Sequence, residues 1–177
     1  EVWNGPWELS NTACLAFWEA RLKRGERLSA VGGSDHHFSH EPHIAQLAHP
    51  TTVVYIPPDV PPTARSVLNA IRAGHCFVTE APDGARLTLR AGSAMMGDSL
   101  PRPDDDRVTL ELTVRNGTGG RLQIITTSGV IGETDITGNA VEWSQDVRLD
   151  NSPYVRIQLV DAHYGQVRAL TNPIYFD

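Results

Sequence analysis

The residues best suited to chemistry sit in one short run, Gly32-Gly33-Ser34-Asp35-His36-His37. If the chain stays extended there, Asp35 and His37 project to one side and His36 points away. The carboxylate supplies charge and the neutral imidazole a nitrogen donor, a pairing that suits Zn, Mn or Fe. The two glycines let the backbone turn sharply and approach closely. Two ligands fall short of the three protein ligands plus water typical of a catalytic zinc. An Asp-x-His by itself equally suits a surface loop or a satisfied polar cluster. His36, His40 and His43 are weaker candidates for a metal contact, with an exposed polar loop around Glu41-Pro42 as the plainer reading. Ser34 lacks the Gly-x-Ser-x-Gly surroundings of a nucleophile elbow. His49 and His75 read as structural, and Glu1 and Asn4 as strand-end residues that could support such a site.

Two textures of sequence must position these residues. Residues 1–80 alternate strand and helix. A strand ends at Asn4, and a helix over 12–24 is capped by Ser10 or Asn11, with Leu15, Trp18 and Leu22 on its inner face and Gly25 as its stop. Strands at 28–31, 52–56 and 76–79 follow. Between the last two, Thr63 caps a helix through Arg72 that turns Val67, Leu68 and Ile71 inward and stops at Gly74. That alternation predicts parallel strands covered by helices. Catalytic groups in such folds gather at the C-terminal strand ends, where Asp35 lies.

From the turn-rich Ala81-Pro82-Asp83-Gly84 onward the chain reads as strands alone. Val108, Leu110, Leu112 and Val114 alternate with polar residues, the clearest period-two run in the sequence. Further strands are predicted at 87–90, 122–126, 140–143, 147–149, 154–160, 167–170 and 174–176. The expectation is α+β overall: an α/β segment over 1–80, then an antiparallel, immunoglobulin-like β-sandwich over 81–177. The acidic run 104–106 reads as a solvated loop, and Trp143 as sandwich core.

Composition narrows the partners. The 177 residues carry a net charge of −6, with fourteen Arg and one Lys, which argues against non-specific nucleic-acid binding. No apolar stretch approaches the roughly 18 residues needed to cross a bilayer, which argues against a membrane partner. Cys14 and Cys76 read as two buried thiols. Nothing in the residues assigns a compartment.

Several longer phrases sharpen the reading. Glu1-Val2-Trp3-Asn4-Gly5, the run from Gly25 to His37, His49-Pro50-Thr51-Thr52-Val53-Val54-Tyr55, and the run from Ala70 to Thr79 together resemble the C-terminal end of the polymerase and histidinol phosphatase (PHP) domain. The likeness is to the metallohydrolase branch that includes carbaryl-hydrolase-like enzymes. In that branch a β-sandwich often follows, its last strand similar to Leu170-Thr171-Asn172-Pro173-Ile174-Tyr175.

The resemblance implies a (β/α)₇-like barrel with divalent metal ions at its strand ends and a small phosphoester or related ester as substrate. Asp35 and His37 would be its last ligand pair. The family's earlier His-x-His and intervening His and Glu ligands have no counterpart here, so the expectation is a piece of a longer hydrolase, inactive alone. A non-catalytic binding or structural module with a vestigial metal motif is the competing expectation. An incomplete barrel would also expose Trp3, Trp7, Phe17 and Trp18, to be covered by the sandwich, by a neighbouring molecule or by self-association.

Overall fold

Short runs of alternating apolar and polar residues make the chain mostly β, with antiparallel sheets. The structure, a computed structural model, describes residues 1–37 and 46–177. The first half holds β1 (Trp3–Asn4), α1 (Leu9–Lys23), β2 (Gly32–Gly33), β3 (Thr51–Val54), α2 (Ala64–Ala73) and β4 (Cys76–Thr79). Next come β5 (Arg86–Ala91), β6 (Ala94–Met95), β7 (Ser99–Leu100), β8 (Arg107–Arg115) and β9 (Gly120–Thr126). The chain continues through β10 (Gly129–Ile136), β11 (Ala140–Arg148), β12 (Tyr154–Asp161), β13 (Val167–Thr171) and β14 (Ile174–Phe176).

One sheet runs β10-β9-β12-β13-β4-β3, and a second runs β11-β8-β5-β6. β14 joins the first through β12 and pairs in parallel with β7. The alternation seen in β8 is the packing code: Leu110, Leu112 and Val114 are buried, while Glu111 and Arg115 face water. With Leu87 and Leu89 they share one core with Leu122, Ile124, Val155, Ile157 and Leu159 of the first sheet. Trp143 packs against the edge of this core rather than inside it. Asp106 corrects the reading of the acidic run as merely solvated. It accepts from Arg102 Nη1 at 2.7 Å and from the Asn151 backbone N–H at 3.1 Å. The Asn151 bond chiefly holds its carboxyl below the usual carboxylate range.

The parallel arrangement expected of the first half holds only for β1 and β2. β3 and β4 are antiparallel, and β4 continues into β13 of the second half, so the sheet runs straight through Ala81. Strand–helix alternation orders elements but leaves strand direction open. The proline-rich stretch 55–63 joins β3 to α2 without forming a helix or strand of its own. All four residues of β4 are buried because both faces are covered: Val78 packs with Trp3 and Trp18, and Phe77 with Met95 and Met96.

α2 follows its local signals. Thr63 and Ser66 form a reciprocal capping box, and Gly74 ends the helix at φ 77°, a left-handed conformation that glycine adopts without a Cβ penalty. Its inner face differs from expectation, since Leu68 is 51% exposed and Ala70 is buried instead. α1 begins three residues before the predicted start, and neither Ser10 nor Asn11 caps it. Asn11 is buried because its carboxamide closes the outer edge of β1. It accepts from the Asn4 backbone N–H at 2.8 Å and donates to Asn4 O at 3.2 Å and Pro6 O at 2.8 Å. Leu15, Trp18 and Leu22 line the buried face as expected. The strand expected over 28–31 is confined to Gly32–Gly33 as a ladder, extended by the bond from Val2 N–H to Val31 O.

The aromatic residues thought to need a cover have one within the chain. Trp3 and Trp18 are buried with Tyr154, Val160, Val167 and Leu170 of the large sheet, and Trp7 packs against them. Phe17 remains 63% exposed. The cysteines divide. Cys76 is buried, and burial pushes its thiol up to about 11, whereas Cys14 is exposed, correcting the expectation of two buried thiols. At about pH 8 the Cys76 thiolate is roughly one part in a thousand. A disulfide reagent is therefore expected to consume one thiol in the native protein and the second only on unfolding. Two fast equivalents would contradict this packing.

Candidate functional site

The parallel β1–β2 pair delivers the Gly-Gly-Ser-Asp-His-His run to its C-terminal end, with Trp3 opposite Gly32 and Asn4 opposite Gly33. Gly32 has to be glycine. A Cβ there would stand 2.6 Å from Val78 Cγ1 and 2.9 Å from Trp3 O, closer than packing allows. The outer edge of Gly32 is closed by a side chain rather than a strand. Thr52 Oγ1 accepts from Gly32 N–H at 2.9 Å and donates to Gly32 O at 2.7 Å. Upstream, Asn172 from the β13–β14 connection accepts from Ala30 N–H at 2.6 Å and donates to Ala30 O at 3.2 Å. Both ends of this short segment are thus pinned to the large sheet.

Asp35 and His37 do meet, with His37 Nε2 2.7 Å from Asp35 Oδ1. The backbone reaches that geometry by another route than extension. Asp35 has φ 49°, in the left-handed region that aspartate tolerates better than most residues. Both side chains are more than half exposed, so the pair opens to solvent and would exchange water freely. His36 is half-buried. Glu1 reaches the same strand end: its Oε1 lies over Gly33, and its Oε2 accepts from Asn4 Nδ2 at 3.3 Å. His75 pairs with Asp98 Oδ1 at 2.7 Å, and His49 Nδ1 lies 3.1 Å from Leu47 O.

A carboxylate and an imidazole in contact suit a borderline divalent cation, which would take the place of the proton they share. The donor count is the limit. Among the described residues no group of three or more His, Cys, Asp or Glu gathers to hold a metal. His40 and His43 lie outside the described residues. Of the residues that support the segment, Thr52 and Asn172 fall inside the phrases that carry the family resemblance and Asn11 beside the predicted start of α1, but nothing in their spacing announces the bonds they make. Compared with protein-family models and with curated proteins, the sequence matches none.

Proposed function

We propose that Asp35 and His37 are two ligands of a metal-dependent hydrolase centre of the PHP type, acting on phosphoesters or related esters. The observation that carries this reading is their 2.7 Å contact at the C-terminal end of a parallel strand pair. In this reading residues 1–80 close the catalytic domain, and residues 81–177 form an immunoglobulin-like β-sandwich behind it. The centre's remaining ligands then lie outside the described residues. A divalent Zn, Mn or Fe ion, when bound, lowers the pKa of a coordinated water and polarises the ester oxygen. Asp35 supplies the negative charge that favours the cation, His37 the neutral nitrogen, and the Glu1 carboxylate adds to the negative field at that strand end. The left-handed turn at Asp35 sets the two donors side by side.

A second reading has its own support: a binding or structural module in which the Asp-x-His pair has no catalytic role. The outer edges of β1 and β2 are already closed by Asn11 and Thr52, so the pair is complete without further barrel strands. Cobalt titration followed by absorption separates the two. The hydrolase reading expects weak binding by this chain, lost in both Asp35→Ala and His37→Ala. A longer form carrying the remaining ligands should bind tightly and hydrolyse a nitrophenyl phosphate. There Asp35→Ala should cost more than the about 10–100-fold typical of losing a residue that only supports a ligand. Cobalt binding indifferent to both substitutions would remove Asp35 and His37 from any metal role.

A further inference from the structure

A cleft of about 650 Å³ lies between the Pro6-Trp7 loop, the His49-Pro50 turn and the β12–β13 turn. Its size lies within the range of small-molecule sites, and neither Asp35 nor His37 lines it.

Its walls are aromatic and its polar groups are held in place. Trp7 is half-buried and set at right angles to Trp3, with ring centroids 4.9 Å apart. Across the sequence, Tyr164 stands at the rim, 78% exposed, on a turn braced by Asp161. Asp161 Oδ1 accepts the backbone N–H groups of His163 at 2.9 Å and Tyr164 at 2.8 Å, while Gly165 N–H donates to Asp161 O at 2.9 Å. Arg168 is tied down in the same wall. It donates to Glu80 Oε1 at 3.1 Å and to Thr118 O at 3.0 Å.

Charge decides the ligand class. Glu80 and Asp161 set two carboxylates against one guanidinium, and that guanidinium is already shared between Glu80 and backbone carbonyls. A phosphate or carboxylate ligand would meet a net negative wall. A purely apolar ligand would displace water from the Gln46 and Gln166 carboxamides and from the outer face of the carboxylates, and offer no hydrogen bonds in return. A pyranose suits both kinds of wall, because its C–H face packs on an aromatic ring and its hydroxyls donate to carboxylates and pair with carboxamides. We propose that this cleft binds a neutral oligosaccharide, with Trp7 and Tyr164 as stacking surfaces and Asp161 and Gln166 as hydrogen-bonding partners for its hydroxyls.

The proposal is independent of the metal reading. Its test is nitrogen-15 NMR of the Trp7 indole N–H during titration with maltotriose, cellotriose and triacetylchitotriose. The Trp18 indole, which donates to Leu28 O at 2.7 Å and does not line the cleft, serves as the internal reference. At least one trisaccharide is expected to shift the Trp7 resonance saturably. Tyr164→Ala, at a side chain too exposed to disturb folding, should weaken that binding about tenfold. The proposal is overturned if no trisaccharide shifts the resonance, if Tyr164→Ala binds as the parent does, or if choline shifts it while the sugars do not. The last result would mark a cation site.

Discussion

Glu19→Ala is expected to cost about 3–5 kcal/mol of stability, because it leaves the buried Arg156 guanidinium without its counter-ion. Arg156 is fully buried on β12, and its Nη2 donates to Glu19 on α1. Nη1 donates to Gln158 Oε1 at 3.0 Å, and the guanidinium lies 5.4 Å from the centre of the Trp18 ring. Among the described residues Nε has no partner, and burial pushes the guanidinium pKa down, partly offset by Glu19. Removing the carboxylate therefore strips the main compensation from a charge that water does not reach. Arg156→Met should be far milder. It replaces the charge by an apolar chain of similar length, and Glu19, with its side chain 28% exposed, keeps access to solvent. Urea unfolding of the two variants gives the comparison. A loss below about 1 kcal/mol for Glu19→Ala, the range of exposed pairs, would show that α1 is not anchored here.

Asn172→Ala is expected to cost a comparable amount, about 3 kcal/mol or more, because three buried backbone groups, Ala30 N–H, Ala30 O and Cys76 O, each lose a partner at about 1–3 kcal/mol. The carboxamide is 1% exposed and holds Ala30 through both its N–H and its C=O, while also donating to Cys76 O at 2.9 Å. Those bonds join the segment leading to Gly32 with β4 and with the end of β13. The loss should therefore reach beyond stability. At temperatures where Asn172→Ala remains folded, the backbone amides of Gly32 and Gly33 are expected to shift and exchange faster. The amides of β8, on the other sheet, should be unchanged. Uniform change across both sheets would mean that Asn172 contributes to stability without positioning the Asp35 segment. Because this readout requires no metal, it stands whichever reading of Asp35 and His37 holds.

Both effects come from polar residues that sequence patterns pass over. Leu15, Trp18 and Leu22 announce the inner face of α1 by their spacing, and Thr63 and Gly74 announce the ends of α2, because these signals are local. β8 is legible for the same reason, since its apolar residues recur at every second position. β10 is not. It lies at a sheet edge, Ile136 is its single buried residue, and its glycines and carboxylates read as a loop. β11 pairs with β8 residue for residue from Ala140 to Arg148, yet its Ser144-Gln145-Asp146 stretch looks like a break between two strands. An edge strand with one face in water can carry those residues at no cost.

The run Gly32-Gly33-Ser34-Asp35-His36-His37 is readable from residue types alone: which groups could do chemistry, that a carboxylate and an imidazole could meet, and that glycines precede them. Spacing could not say how Asp35 and His37 come together, since the left-handed turn at Asp35 does what extension was expected to do. Strand direction was equally out of reach. It made β3 and β4 antiparallel, carried the large sheet across Ala81 and buried Trp3 and Trp18. Local signals report the conformation of a few neighbouring residues. Direction, closure of strand edges and the burial of Arg156 beside Glu19 depend on partners up to 142 residues away, as in the Ala30–Asn172 bond.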